Sequence, residues 1–380
     1  MARKSEDLLD NFNKDGNFNC MLKKADSLKE SEYQAAEVLR RVLEQVPAIT
    51  HVDVKHEALK SDHRADVVAE VEVFGKHHIL VCEVKSTGQP RHVRMALLQL
   101  RDYLAHYKEG AVPVFIAPYL SPEAQSLCRE QDVGFLDFEG NVRLAFDSVF
   151  IDRQVASKPV VEKRELRSIF KPKSAQVLRV LLRDPSRPWR VTDLAQTAAV
   201  SLGHVSNVRT SLLDREWARV SEEGLYLSEP DALLDAWRAA YEPPPASRAT
   251  FYTTLHGGAF DEAARRVLRK EGASGLAVYS SFSAAQWLAP YGRTGMHHFY
   301  TDKEGLERLQ STLKLSPIAK GENVVVAVLK DPGLFRDAVE PAPGAFCTSP
   351  VQTYLDLADA GERGREAAEH LRREKLQWPK

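Results

Sequence analysis

The chain has 380 residues, a length typical of two or three domains rather than one. Hydrophobic residues make up 43% and charged residues 28%, which is the composition of a globular protein with a full core and excludes a disordered chain. The 52 Lys and Arg residues nearly cancel the 53 Asp and Glu residues, so the net charge of −1 alone indicates no class of partner.

The first part of the chain, 1–155, predicts an α/β domain. Residues 1–30 are polar and predict a loosely ordered lead-in. A helix is expected from Ser31 to near Pro47, and strand-like runs then alternate with helices, which is typical of an α/β fold. Ser121 is the expected N-cap of one of these helices. The later predicted elements are Asp66–Phe74, His77–Lys85, His92–Tyr107, Val112–Ala117, Pro122–Gln131, Phe135–Phe138 and Val142–Phe146.

Two carboxylates and a lysine are expected at the open end of a hairpin. If Gly75-Lys76 forms a two-residue turn, with the glycine at positive φ, Asp66 lies opposite Lys85. Because side chains alternate along a strand, Asp66, Glu83 and Lys85 then share one face. The alternative is a solvated surface, since Glu-x-Lys is a common pattern on an exposed strand.

The chemistry of this group suits phosphodiester hydrolysis. Asp66 and Glu83, helped by the backbone carbonyl of Val84, can hold Mg²⁺ or Mn²⁺ with several waters left on the metal. The metal activates water, and a nearby ammonium stabilises the developing charge. On the following helix, Gln99 and Tyr103 are four positions apart and therefore lie together on the flank of the apolar stripe.

These residues resemble the signature of the PD-(D/E)XK nucleases, in the variant with a Gln-x-x-x-Tyr helix. The motif consists of Asp66, Glu83-Val84-Lys85 and Gln99-x-x-x-Tyr103, and Ala65 replaces the proline. The resemblance covers about 30–150 and implies a restriction-endonuclease-like α/β/α domain. It also implies that a glutamate on the preceding helix joins the site, for which Glu37 is best placed. Such domains are also retained as inactive binding modules.

The positive charge of the chain is concentrated in 159–220, which carries 12 basic and 6 acidic residues. This block lies in 156–242, where a linker precedes a predicted helix at Ser174–Arg183, a strand and helix at Trp189–Ala195 with Thr192 as the cap, and a helix at Leu202–Arg215. A short hairpin around Glu222-Glu223-Gly224 follows. Three helices and a β-hairpin resemble a winged helix-turn-helix domain, which implies DNA as a partner.

The third helix and the nearby cations are the predicted DNA interface. Polar groups of the helix contact base edges or phosphates, and the cations neutralise phosphates, which makes the affinity depend on salt. The helix set is Ser201, His204, Ser206, Asn207, Arg209 and Thr210, and the cation set is Lys171, Lys173, Arg187 and Arg190. The alternative is a winged helix that binds protein. The acidic tip of the hairpin argues against its insertion into the minor groove.

Three consecutive prolines, Pro243 to Pro245, mark the start of a C-terminal α+β region at 246–380. Its end carries Ser349-Pro-Val-Gln-x-Tyr-Leu-Asp-Leu357 and then Arg363-Gly-x-Glu-Ala-Ala368. This pattern resembles the C-terminal domain of AbiEi-type antitoxins and related regulators of type IV toxin–antitoxin systems. The resemblance implies a protein partner or a homodimer that forms through this region.

The remaining features indicate a cytoplasmic, nucleoid-associated protein. The four cysteines are isolated, which argues against a zinc finger and for a reducing compartment. The N-terminus shows no secretory signal, and the longest apolar run, Val324–Leu329, is far too short to cross a membrane.

The leading hypothesis is a DNA-binding nuclease that depends on Mg²⁺ or Mn²⁺ and acts in a defence or mobile-element setting. Its rival is a non-enzymatic transcriptional regulator or antitoxin of a type IV toxin–antitoxin system, in which the nuclease-like domain is inactive.

Overall fold

The structure is a computed structural model and has a mixed α/β architecture, which confirms the predicted fold class at this coarse level. The chain divides into two compact units, which we call unit 1 (1–163) and unit 2 (164–380). Most of the predicted lead-in at 1–30 lies outside the described part. The described residues are 29–56, 65–105, 110–155, 159–272, 274–292, 294–318 and 320–378.

Unit 1 contains a seven-stranded sheet whose strands follow one another in chain order. The third, fourth and fifth strands are parallel, and the strands outside them pair antiparallel. The strands are β1 Ile49–His56, β2 Val67–Val73, β3 Lys76–Val84, β4 Val112–Ala117, β5 Gly134–Asp137, β6 Val142–Phe146 and β7 Val149–Arg153. The helices are α1 (29–44), α2 Pro90–Leu104 and α3 Pro122–Glu130.

Helices cover both faces of this sheet. Leu39 of α1 packs with Leu80 on one face, whereas Leu100 of α2 packs with Val81 and α3 on the other. Since side chains alternate along β3, the face that carries Val81 also carries Glu83. The N-cap of α3 is Ser121, as predicted, and its side chain accepts a hydrogen bond from Ala124 N at 3.2 Å.

The predicted register of the β2–β3 hairpin is wrong by two positions. Phe74 and Gly75, with φ of 48° and 78°, form the turn, so that Val67 pairs with Cys82. Continuing this register places Asp66 opposite Glu83 instead of Lys85. The predicted turn has positive φ at Gly75, the residue that adopts it most easily, whereas the structure also places the bulky Phe74 in this rarely occupied region. A shift of two keeps every side chain on its predicted face.

Unit 2 begins with helices and a short hairpin. Trp189 also forms a bridge with Leu225 of the hairpin. The helix predicted to begin at Thr192 has Arg190 as its N-cap instead, and Thr192 lies inside its first turn. The elements are α4 Val160–Ile169, which begins in unit 1, α5 Pro172–Arg183, α6 Val191–Ala198, α7 Leu202–Asp214, β8 Ala218–Val220, β9 Leu225–Leu227 and α8 Pro230–Ala239.

The rest of unit 2 is built on a five-stranded sheet of order β11-β12-β14-β10-β13, in which only β12 and β14 pair in parallel. The strands are β10 Ala246–Tyr252, β11 Ala277–Tyr279, β12 His297–Thr301, β13 Ser316–Pro317 and β14 Val324–Leu329. The helices are α9 Gly257–Val267, α10 Ser281–Leu288, α11 Lys303–Thr312, the 3₁₀ helix η1 Pro332–Asp337, α12 Pro350–Ala358 and α13 Gly361–Lys375. Within the described ranges, no helix is long and apolar enough to cross a membrane.

A buried ion pair joins the two parts of unit 2. Arg179 of α5 donates to Asp337 of η1 at 2.9 Å, and the side chains are 5% and 6% exposed. Arg183 donates to the other carboxylate oxygen at 2.7 Å, and Gln352 accepts from Arg179 at 3.4 Å. One hydrophobic core continues through both parts, so they form a single folded body.

We expect Arg179→Met to destabilise unit 2 by about 3 kcal/mol, the lower end of the range for a broken buried pair, because it removes one of the two arginines that pair with the buried Asp337. Urea unfolding followed by tryptophan fluorescence measures this unit alone, since all five tryptophans lie in it. Arg266→Met is the matched control, because Arg266 and its partner Glu262 are about 70% exposed and such pairs contribute roughly 0–1 kcal/mol. Equal losses in both variants would contradict the prediction.

Candidate functional site

The structure brings Asp66, Glu83 and Lys85 together at the ends of β2 and β3. Val84 N donates to Asp66 Oδ2 at 2.8 Å, and Lys85 Nζ forms an ion pair with Glu83 Oε1. The Glu83 side chain is only 2% exposed. Its second oxygen, Oε2, is buried and accepts no hydrogen bond from a described residue. We call Asp66 and Glu83 the acidic pair. The acidic pair therefore offers one buried carboxylate oxygen, Glu83 Oε2, as an acceptor or a ligand.

Burial dominates the electrostatics of the acidic pair. Burial and then repulsion from Asp66 raise the pKa of Glu83 to about 7, although Lys85 opposes this shift. Burial also raises the pKa of Asp66, while its hydrogen bond from the Val84 amide acts the other way. Near neutral pH, both the protonated and the charged form of Glu83 are therefore populated, and a cation that binds Glu83 has to displace the proton.

Of the two predicted helix residues, only Tyr103 reaches the acidic pair. Tyr103 is buried, and burial together with the Glu83 charge raises the pKa of its hydroxyl to about 12, so it stays protonated. This hydroxyl favours the charged form of Glu83. Gln99 lies on the exposed side of α2.

On helix α1, Glu32 is in electrostatic range of the acidic pair, whereas the predicted Glu37 is exposed. The Glu37 side chain is 62% exposed and pairs with Arg41 at 3.8 Å. Glu32 instead has its pKa raised by burial and by Asp66, which places it within electrostatic range of the pair. Glu32 is in helical phase with the buried residues Ala35 and Leu39, and this phase is the sequence signal that would have identified it.

The residues fit a divalent cation only in part. The free Glu83 Oε2 and the neighbouring Asp66 carboxylate are the hard oxygen ligands that Mg²⁺ and Mn²⁺ prefer. The Val84 backbone, predicted to contribute its carbonyl, contacts Asp66 through its amide. Among the described residues, no three His, Cys, Asp or Glu side chains are arranged to hold a metal.

In unit 2, the exposed face of α7 is continuous and, apart from Leu202, carries polar side chains or glycine. Ser206, Asn207 and Thr210 are exposed, and Leu202 and Gly203 extend the same face by one turn. Their spacing of three and four residues places them in a row on one side of the helix. The opposite side, with Val205, Val208 and Leu212, is buried in the core.

The other predicted residues of α7 are placed differently. The Ser201 side chain caps the helix by accepting from His204 N at 3.2 Å. The His204 ring hydrogen-bonds Ser174 Oγ of α5 at 3.1 Å, so it is directed towards the protein. Arg209 is half-buried.

The predicted cations also divide into two groups. Lys171 and Arg190 are exposed at the starts of α5 and α6. Arg187 is exposed, with its guanidinium 4.0 Å from the centre of the Trp189 ring. Lys173, by contrast, pairs with Asp331 at 3.0 Å and is therefore less available to a phosphate.

The C-terminal sequence motif forms a buried hydrogen-bond network on α12. Asp356 Oδ1 accepts from the hydroxyls of Tyr241 and Tyr300, and from Gln352 Nε2 at 2.9 Å. Tyr354, between them, accepts from Arg238 at 3.0 Å. The motif residues thus join α12 to α8, to the segment after α8 and to β12.

Comparison with known families agrees with this motif. Residues 226–377 match the family described as transcriptional regulator, AbiEi antitoxin, of type IV toxin–antitoxin systems. The match covers less than half of the chain and confirms the predicted resemblance of the C-terminal region. It begins within β9 and leaves the acidic pair and α7 outside, so the nuclease and winged-helix resemblances stay predictions. No curated protein matches the chain.

We expect the stability of unit 1 to fall between pH 4.5 and pH 7. The folded state holds the Glu83 proton more tightly than the unfolded state, since the pKa rises from 4.5 to about 7, and this advantage is lost as pH rises. Far-UV circular dichroism follows the unfolding of both units in urea, whereas tryptophan fluorescence follows unit 2 alone. A transition that appears only in the circular dichroism signal therefore belongs to unit 1. Glu83→Gln flattens the pH dependence of that transition, whereas Glu37→Gln leaves it unchanged. Parallel curves for wild type and Glu83→Gln would rule out this assignment.

Proposed function

We propose that the chain is a DNA-binding transcriptional regulator of the antitoxin type, acting in a type IV toxin–antitoxin system. The observation that carries this proposal is the family match over 226–377, which directly follows a helical module with an exposed polar helix face. A regulator of this kind acts in the cytoplasm, on the nucleoid.

The module from α5 to β9 supports the DNA-binding part of the proposal. Three helices followed by a two-stranded hairpin are the elements of a winged helix, in which the third helix enters the major groove. In α7 the exposed Ser206, Asn207 and Thr210 are the side chains that meet base edges or phosphates. Gly203 has no atoms near its missing side chain, so the backbone there approaches DNA without obstruction.

The positive side chains of 159–220 fall into two sets, those that pair with acids of unit 2 and those that stay exposed. Arg179 and Arg183 are bound to Asp337, and Lys173 to Asp331, so these cations hold unit 2 together. The exposed cations that remain on the module act on phosphates by displacing counterions. Among the predicted cations, these are Lys171, Arg187 and Arg190.

We further propose that the protein acts as a homodimer or with a protein partner through the C-terminal region. Two copies of a winged helix recognise two half-sites, which strengthens binding to a palindromic operator.

The DNA-binding proposal is tested with the full chain and duplex DNA from the region upstream of its own gene. We expect Arg190→Gln to weaken binding and to reduce the salt slope by about 0.9, the value for one phosphate contact. We expect Asn207→Ala to cost roughly 1–3 kcal/mol on the preferred sequence and little on unrelated DNA, because it removes a base contact. Fluorescence anisotropy over a range of salt concentrations measures both effects.

Arg266→Gln is the matched control, since this arginine is exposed on α9, outside the helical module. DNA binding that Arg190→Gln and Asn207→Ala leave unchanged would refute the assignment of α7 as the recognition helix. A chain that binds no duplex DNA would refute the regulator itself.

A second candidate function, metal-dependent cleavage of phosphodiesters, is favoured by one observation. The buried Oε2 of Glu83 lies beside Asp66 without a hydrogen-bond donor, and Lys85 holds the other oxygen. An atom of this kind in a folded protein calls for a partner, and a divalent cation is a chemically suitable one.

In metal-dependent cleavage, each residue of the site would have a separate role. Asp66 and Glu83 would hold Mg²⁺ or Mn²⁺, which supplies Lewis acidity and activates water when bound. The Lys85 ammonium stabilises negative charge on the phosphate oxygens. Tyr103 keeps Glu83 oriented and in its charged form, and Glu32 adds negative potential to the site.

The test is cleavage of linear duplex, nicked and single-stranded DNA with Mg²⁺ or Mn²⁺. We expect Glu83→Gln and Lys85→Met each to abolish cleavage, and Glu37→Gln to retain it, because Glu37 points to solvent and pairs with Arg41. We expect Glu32→Gln to reduce cleavage. Absence of cleavage on every substrate, with DNA binding intact, leaves the acidic pair as a part of a binding module and rejects the nuclease.

A further inference from the structure

A cavity of about 260 Å³ lies in the C-terminal part of unit 2, beside the hydrogen-bond network of α12 described above. It is bounded by the N-terminus of α10, by strands of the five-stranded sheet and by the end of α12. Its polar lining is formed by Arg248, Ser280, Ser281, His298, Asp356 and Asp359. We call it the Asp356 cavity.

The negative side of the cavity is Asp356. Its Oδ1 is saturated by three donors, as described above, and the residue is only 9% exposed. Its second oxygen, Oδ2, is buried and receives no hydrogen bond from a described residue. A buried carboxylate oxygen in this state calls for a hydrogen-bond donor, and Asp356 lines the cavity from which one can come. Asp359, one turn further along, adds a second negative charge to the same wall.

The positive side of the cavity is Arg248 together with the start of α10. Arg248 is exposed on β10 and acts electrostatically on Asp356, yet it forms no ion pair with it or with any other described carboxylate. Ser280, the N-cap of α10, does not cap the helix with its side chain, so N–H groups of the first turn point outward with partial positive charge. His298 adds no charge, since burial lowers its pKa to about 4.

We infer that the Asp356 cavity binds a free α-amino acid. The ammonium group of the ligand donates to Asp356 Oδ2, and its carboxylate lies against Arg248 and the first turn of α10. A zwitterion matches two opposite charges that face one cavity without pairing, whereas a simple anion would meet the repulsion of Asp356 and Asp359. Pockets for drug-sized ligands have volumes of about 300–1,000 Å³. The Asp356 cavity is smaller than this, which suits a small metabolite.

Isothermal titration calorimetry on the full chain without DNA tests this inference, so its outcome is independent of DNA binding. The probes are the standard amino acids, one at a time at millimolar concentration, with inorganic phosphate and adenosine monophosphate as anionic probes. We expect at least one amino acid to bind, and Asp356→Asn and Arg248→Gln each to weaken that binding at least tenfold. Glu262→Gln and Arg266→Gln, exposed on α9, leave the affinity unchanged.

Three results would overturn the inference. These are binding by no amino acid, binding that both cavity variants leave intact, and binding of phosphate or the nucleotide in place of amino acids. Asp356 lies in a buried network, so Asp356→Asn counts only where tryptophan fluorescence shows a folded unit 2. If Asp356→Asn does not fold, the affinity of Arg248→Gln decides the test. The Arg248 side chain is exposed and pairs with no described carboxylate, so this substitution leaves the fold intact.

Discussion

The ion pair between Arg179 and Asp337 is the constraint on which the C-terminal unit depends. It fixes a helix of the module from α5 to β9 to the region that carries the family motif, and the Arg179 guanidinium also reaches Gln352 of that motif. Loss of one partner of such a buried pair is costly, since the remaining charge has little solvent to stabilise it. The module is therefore an integral part of the unit, and a change in the packing of α12 is transmitted to α5 through a direct contact.

This arrangement changes the meaning of the positive block at 159–220. Its net charge first indicated a surface for nucleic acid, but several of its cations neutralise acids of the same unit. Charge counted along a sequence cannot separate these uses, because the acidic partners lie about 150 residues further on. Exposure separates them, since of the predicted cations only Lys171, Arg187 and Arg190 stay exposed without an acidic partner among the described residues and free for the proposed contact with DNA.

Much of the fold follows from local patterns, and the errors have identifiable physical causes. The Ser121 cap and the buried β4 were predictable from a capping side chain and an apolar run. The edge strand β1 was missed because its exposed polar residues conceal the strand pattern. Gln99 was grouped with Tyr103 by spacing, although only Tyr103 faces the sheet. Long-range pairing, such as that of His204 with Ser174, depends on tertiary packing that no local pattern encodes.

The hairpin turn at Phe74 and Gly75 has a consequence for how this chain can vary. The acidic pair lies at the open end of the hairpin and the turn at the closed end, so the two are connected only through strand pairing. Lengthening both arms equally at the tip moves the turn outward and leaves the acidic pair in place. One residue inserted into a single arm within the paired region, and not accommodated as a β-bulge, would exchange the faces of the residues beyond it, burying charge in the core and exposing apolar side chains.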